Sequence, residues 1–300
     1  MINENRTDIP IYKDINFVLK NSKALILDIW GVLWDGIEVY PEAIDTLKKI
    51  KELDIPVILL SNAPRKASKV KKKLNAIGIK KEFYEEIISS GEICRSALLS
   101  KSFVVPGEHY YFIGLKEDKD LLSGSHFSEA KNMNSADFVL LTGPRSFNDT
   151  LSEYEDELTK CLKLKLPIIS ANPDKIVIRQ NGKTVICAGE LTKLYTKMGG
   201  TVKEFGKPHK EIFITALRSI SKLRSTISKK NISIIGDGLE TDIAGGNAIG
   251  INTILITNGI LSKELKTEDK KIPDKKLLSK ILERYKTIPN AAAVRFTITL

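Results

Sequence analysis

Cysteine and histidine are scarce in this chain, with three of each in 300 residues. Cys94, Cys161 and Cys187 lie far apart and form no CxxC unit, which argues against a disulfide framework or a zinc knuckle. They read as packing residues. His109, His126 and His209 show no HExxH or HxxxH spacing, so a histidine-based metal site is not expected. Long apolar runs are missing too: none approaches the ~20 residues of a membrane helix. The first residues, MINENRTDIPIYKDI, lack the cationic-then-apolar layout of a signal peptide. The expectation is a cytoplasmic protein with no membrane partner. Internal repeats and low-complexity linkers are also lacking.

One sign of charge is in excess. Lysine and arginine number 47 against 37 acids, a formal net charge of +10. A nucleic-acid binder would gather that charge on one face, interleaved with aromatics. Here the densest runs, KASKVKKK (66–73) and KLRSTISKK (222–230), hold no aromatic residue. A solvated lysine-rich surface is expected, with no nucleic-acid partner, and its field can steer anionic substrates inward.

What is present is an ordinary globular balance, 42% hydrophobic and 28% charged. The pattern alternates strand and helix. KALILDI (23–29) is a near-continuous apolar run, as expected of a strand covered on both faces. PEAIDTLKKIKELD (41–54) has helical spacing behind a proline suited to a first turn. IPVILLS (55–61) reads as a strand and 65–79 as a helix closing near Gly78. The last third repeats the alternation, with a helix over 210–223, a strand over 231–237, a short helix over 241–250 and a strand over 252–257. A lysine-rich helix follows at 274–286, and AVRFTITL (293–300) reads as a terminal strand. A second α/β series lies between, with strands at 110–114, 137–143, 166–171 and 183–187 and helices at 91–101 and 149–165. Residues 121–137 read as loop and weak helix. The layout is α/β, one α/β domain inserted into another: core from 1–64 and 201–300, insert 65–200.

Open parallel sheets bind ligands at their carboxyl edge, and four motifs fall just after apolar strands or at loop starts. Asp28 ends LIL; a carboxylate there can attack phosphorus and split hydrolysis into two steps, or merely cap a turn. Ser61 and Asn62 in LLSNAPR can hold phosphate oxygens or act as a helix cap. Lys207 in EFGKPHKE can neutralise a phosphoryl group. Asp237 and Asp242 in IIGDGLETDIAGG suit Mg²⁺, which takes oxygen ligands, though a capped loop-to-helix junction has the same look.

In order and context these motifs resemble the haloacid dehalogenase (HAD) superfamily. The insert between the second and third motifs resembles the C2 cap of class II. GVLWDG followed by Pro41-Glu42-Ala43, SANPD (170–174), CAGEL (187–191) and ITNGILSKEL (256–265) resemble subclass IIA, the NagD-like sugar-phosphate and 4-nitrophenyl phosphatases. The resemblance implies a Rossmann-like core with a parallel sheet and an α/β C2-type cap. It implies Asp28 as nucleophile and metal ligand, Lys207 as the charge-balancing catalytic lysine, and Ser61 and Asn62 as phosphate holders. Asp237 and Asp242 are implied at the metal, Mg²⁺, together with the main-chain carbonyl of Trp30. Asn172 and Asp174 are implied near the substrate entrance as binding residues. The implied partner is a small phosphorylated metabolite, and C2 caps allow a homodimer.

The departure is at Trp30. The usual phosphatase has an aspartate two residues after the nucleophile, a general acid/base contributing typically 10²–10⁴-fold in rate. An indole N–H donates but does not titrate. Three readings stay open: a phosphohydrolase lacking this acid, a dehalogenase-like hydrolase, whose leaving halide needs no proton, and a weak or inactive fold that binds a phospho-ligand or a protein. Asp35 offers a substitute carboxylate, but WDG also reads as a simple turn. The aromatics Trp30, Trp34 and Tyr40 can cover the nucleophile, stack on a substrate ring, or simply pack beneath the cap.

Overall fold

The computed structural model describes residues 7–100, 103–178, 184–267 and 271–299. Two compact units divide the chain: one contains residues up to Ser61, Lys71–Ile88 and everything from Phe213 on, the other Asn62–Val70 and Ser89–Ile212.

The first unit is built on a seven-stranded sheet. Its order is Ile11–Tyr12, Ala291–Ala293, Asn252–Ile256, Ile232–Gly236, Ala24–Leu27, Val57–Ser61, Glu86–Ser89. The central pairings are parallel, with Leu27 opposite Ile235 on one side and Leu59 on the other. All four residues of Ala24–Leu27 and all five of Val57–Ser61 are buried, as a sheet covered on both faces requires. Helix Ala43–Glu52 buries Ala43, Thr46, Leu47 and Ile50, one stripe at helical spacing. Helix Lys275–Tyr285 begins at Asp274, whose carboxylate accepts the Leu277 N–H at 2.9 Å. Its Leu278, Ile281 and Leu282 pack with Leu239, Ile243, Leu255 and Leu265.

The second unit has its own parallel sheet of five strands, ordered Val202–Glu204, Ile168–Ser170, Phe138–Leu141, His109–Ile113, Ser128–Glu129. Alternate residues of its central strand serve opposite cores. Phe138 and Leu140 join Cys94 and Leu98 of helix Ser90–Leu99, while Val139 and Leu141 join Leu158, Cys161, Leu191 and Tyr195. Ile176–Ile178 and Thr184–Ile186 form a separate antiparallel pair.

The expected α/β architecture with parallel sheets is therefore present, and helix Lys210–Leu223 matches its expected span. One terminal element differs. The last strand is Ala291–Ala293, not 293–300, of which residue 300 lies outside the described residues. Its neighbour on the outer side, Ile11–Tyr12, is only two residues long, so pairing stops where that partner ends. After Val294, whose N–H reaches the Tyr12 carbonyl at 3.0 Å, the chain bends away. The residue-183 end of the expected strand 183–187 likewise lies outside the described residues; Thr184–Ile186 is extended, in the hairpin and not the main sheet. Several elements carry no sequence expectation, among them strands Ile11–Tyr12, Glu86–Ser89, Ile176–Ile178 and Val202–Glu204 and helices Asn16–Asn21 and Ala188–Lys197.

Candidate active site

Strands Ala24–Leu27 and Ile232–Gly236 are neighbours, and each is followed at once by an aspartate. The Asp28 N–H donates to the Ile235 carbonyl at 3.0 Å, so Asp28 and Asp237 leave the sheet at the same edge. Asp242 joins them because the chain after Gly238 makes one wide π-turn, Leu239–Ile243, before helix Ala244–Ile249. Single wide turns of this kind are rare overall but frequent at functional sites. The Asp242 carboxylate is fully buried and accepts the Gly238 N–H at 3.2 Å and the Thr241 hydroxyl at 3.3 Å.

One carboxylate oxygen from each of Asp28, Asp237 and Asp242 lies within 4.8 Å of the others. All three residues are buried. Two glycines make room for this. A Cβ on Gly31, which sits at φ +80°, would fall 1.9 Å from Asp237 Oδ2, and one on Gly259 would fall 2.3 Å from the same oxygen. The Ile260 N–H donates to that oxygen at 2.7 Å, and the Ile29 N–H to Asp28 Oδ1 at 2.8 Å. Three converging carboxylates are a hard, all-oxygen donor set, which suits Mg²⁺ or another oxygen-seeking divalent ion.

Trp30 is half-buried and meets Trp34 edge-on, ring centroids 5.1 Å apart at 61°. Asp35 is turn-forming: its Oδ1 accepts the N–H groups of Ile37 at 2.8 Å and Glu38 at 2.7 Å. The turn reading of WDG thus accounts for its carboxylate. Tyr40 belongs to the same neighbourhood. Burial first, then the charges of Asp237 and Asp35, push its phenol up, so it stays a hydroxyl donor at neutral pH.

The second unit gathers another set. Lys207 is 2% exposed and Asn62 4% exposed. The Asn62 amide pairs with the main chain of Lys207 in both directions: Lys207 N–H donates to Asn62 Oδ1 at 2.7 Å, and Asn62 Nδ2 donates to the Lys207 carbonyl at 3.1 Å. Asn62 Nδ2 also donates to Asp174 Oδ1 at 2.7 Å. Asn172 supports this loop, its Oδ1 accepting the Asp174 N–H at 2.9 Å. Lys207 precedes a cis proline, Pro208. Ser61, the last residue of its strand, is buried in the first unit. The structure thus brings Asp28, Asp237 and Asp242 together, and separately Asn62, Asn172, Asp174 and Lys207. Sequence reasoning does not connect Asn62 with Asp174 and Lys207, which are 112 and 145 positions away.

Burial, in the three free cysteines, raises the thiols of Cys94 and Cys161 to about 12 and that of Cys187 higher still, aided there by the charge of Asp174. Among the described residues no helix is long and apolar enough to cross a membrane.

A parallel α/β sheet with three carboxylates converging at its carboxyl edge, interrupted by an inserted α/β cap, defines a Rossmann-like hydrolase fold of the HAD type. Two family models agree with it. One, haloacid dehalogenase-like hydrolase, matches residues 25–128, and a second, HAD-hydrolase-like, matches 204–283. The chain belongs to the HAD superfamily of hydrolases, with a first segment of the kind found in subfamily IIA. An acid sugar phosphatase of Staphylococcus saprophyticus is 25% identical over 253 residues, 82% of this chain and 90% of that protein. The 5′-nucleotidase YutF of Bacillus subtilis is 24% identical over 257 residues, 83% of this chain and 92% of that protein. In fold, the chain is similar to a haloacid dehalogenase-like hydrolase from Brucella suis, with a TM-score of 0.81 over 95% of this chain and 99% of that one, at 24% identity.

Proposed function

We propose that this chain is a Mg²⁺-dependent phosphatase acting on a small phosphorylated metabolite through an aspartyl phosphate on Asp28. The observation that carries the reading is the convergence of Asp28, Asp237 and Asp242 at the ends of adjacent parallel strands. The names of the relatives, a sugar phosphatase and a 5′-nucleotidase, put sugar phosphates and nucleoside 5′-monophosphates first among candidate substrates.

In this reading Asp28, Asp237, Asp242 and the Trp30 carbonyl hold the ion, which when bound offsets the charge of carboxylates and phosphate. Ser61 and Asn62 hold phosphate oxygens, and Lys207 supplies a fixed cation. An Asp28 oxygen attacks phosphorus, the ester P–O bond breaks, and the bond electrons go to the leaving oxygen. That oxygen takes its proton from water, because Trp30 has none to give. Water then attacks the phosphorus, the acyl phosphate bond breaks, Asp28 is regenerated as a carboxylate, and the water's proton passes to solvent. Without a positioned acid, turnover follows leaving-group acidity: aryl phosphates first, alkyl phosphates far behind.

The test is an assay with Mg²⁺ against p-nitrophenyl phosphate, sugar phosphates and nucleoside 5′-monophosphates, beside Asp28→Asn. The expected result is release of phosphate by wild type, none by Asp28→Asn, and a beryllofluoride adduct on Asp28. Equal inactivity of both, with no adduct, overturns the reading in favour of a binding fold. Halide release from a haloacid without added metal would instead support the dehalogenase alternative.

A further inference from the structure

Asp174 arrives in the second unit in a loop that follows strand Ile168–Ser170, and both ends of its peptide are tied. Its N–H donates to Asn172 Oδ1 at 2.9 Å, and its carbonyl accepts the Gly189 N–H at 2.8 Å from the first turn of helix Ala188–Lys197. Gly189 permits this approach, since a Cβ there would fall 2.4 Å from the Pro173 carbonyl oxygen. The carboxylate is therefore presented by a fixed backbone.

Asp174 Oδ1 accepts a hydrogen bond from the Asn62 amide at 2.7 Å. The two ends of an amide are nearly the same shape, so an asparagine facing a main-chain N–H on one side and C=O on another must have its orientation decided. An ionised carboxylate only accepts. Asp174 therefore binds Nδ2, holding the orientation in which Oδ1 meets the Lys207 N–H and the second Nδ2 hydrogen meets the Lys207 carbonyl, and adds a bond to a carboxylate to those two. Gly206 is enclosed by the same group. It lies at φ +119°, and a Cβ on it would meet Asn62 Oδ1 and Ser90 Oγ at 2.6 Å and Pro173 Cδ at 2.8 Å. The Ser90 hydroxyl donates to the Phe205 carbonyl just before it.

We propose that Asp174 is a positioning residue: by orienting the Asn62 amide it fixes the main chain of Lys207, rather than contacting substrate itself. This deepens the phosphatase reading, on which its kinetic consequence rests, but the geometric claim stands apart from it. Asn62 then has two tasks at once, one through its own peptide at the phosphate-holding motif and one through its side chain at the lysine loop.

The experiment compares wild type with Asp174→Ala and Asp174→Asn by amide hydrogen exchange and by steady-state kinetics. A hydrogen bond to a charged group is worth about 1.5–3 kcal/mol, so its loss is tenfold or more in an opening equilibrium. Asp174→Ala should speed exchange at the Lys207 amide about tenfold or more, while the amides of Val139–Leu141 stay protected and show that the unit is folded. It should lower kcat by at least about tenfold with KM within about twofold. Asp174→Asn keeps the shape and one acceptor but loses the charge and can turn a donor toward Asn62, so it should fall between wild type and Asp174→Ala in both. Unchanged exchange at Lys207 in Asp174→Ala overturns the proposal. So does a variant that raises KM at unaltered kcat, which would put the carboxylate on the substrate. If wild type releases no phosphate from any compound, the phosphatase reading fails while the exchange result still decides this one.

Discussion

The six-membered ring of Trp30 lies against Gly36, so close that a Cβ there would fall 2.3 Å from Cη2. Gly36 itself sits at φ +95°, where only glycine is at ease. Trp30 is thus built into its turn, packed against Gly36 and meeting Trp34 edge-on.

On the proposed function, Trp30→Asp should exchange stability for rate. Trp30→Asp removes that packing and should cost about 2–4 kcal/mol, within the range for deleting a large aromatic ring that is only half-buried. The same variant should raise kcat on alkyl phosphates at least about tenfold, the low end of general-acid catalysis, with little change on p-nitrophenyl phosphate. Thermal unfolding and a leaving-group series measure the two effects. A flat response across the series means the aspartate is not what the site lacks.

Gly31 lies against the carboxylate cluster. Gly31→Ala puts a methyl group 1.9 Å from Asp237 Oδ2 and strains a left-handed residue, so the carboxylate must move. Millimolar Mg²⁺ should raise the melting temperature of wild type, as any ligand bound only by the folded state does, and leave that of Gly31→Ala unchanged. Equal shifts in both would place the ion elsewhere.

Asp118 makes the second unit sensitive to pH. Its carboxyl is raised to about 6, first by burial, against the opposing charge of Arg65 and with the help of Glu117, while Lys69 lowers it. Arg65 Nε lies 3.0 Å from Asp118 Oδ1. Because the folded value lies above the unfolded one, the folded chain holds the extra proton between them. This group's contribution is full below the ordinary carboxyl value near 4 and is lost as pH rises through about 6, on the order of 2–3 kcal/mol. Asp118→Asn should therefore gain on wild type between pH 4 and pH 7 in denaturant unfolding. A constant difference across that range would refute the assignment.

The buried thiols should be inert. With Cys94 and Cys161 raised to about 12 by burial, an aromatic disulfide reagent at pH 8 should modify no cysteine of the native protein within minutes and all three in denaturant. Rapid labelling of the native protein would show that one of these thiols opens to solvent.

The central strands of the first unit are legible because both faces are covered. Ala24–Leu27 and Val57–Ser61 are near-continuous apolar runs and Ile232–Gly236 a mostly apolar one, each short and rich in branched residues, which marks a buried strand. The acid cluster is legible because each carboxylate directly follows such a run or stands five residues on. Strand Val202–Glu204 is not, since VKE at a sheet edge carries no apolar signal. Helix Ala188–Lys197 is hidden in CAGEL, whose two small residues open it against a neighbouring loop. The terminal strand is overread because AVRFTITL alternates well, yet alternation cannot say where a partner strand ends. The Asn62 hub is beyond reach for a different reason: an amide's choice of partner is made by tertiary contacts, and any surface asparagine looks the same in sequence.

The sheet order carries a consequence for how the chain is made. Ala24–Leu27 leaves the ribosome early, and Val57–Ser61 can pair with it soon after. Its other neighbour, Ile232–Gly236, is about 200 residues downstream, roughly 10–40 s of translation at 5–20 residues per second. For that interval a fully apolar strand carries an open row of N–H and C=O groups on a growing chain. The nucleophile's strand is thus the segment of the nascent protein most in need of a chaperone, and its edge closes only when the second aspartate motif arrives.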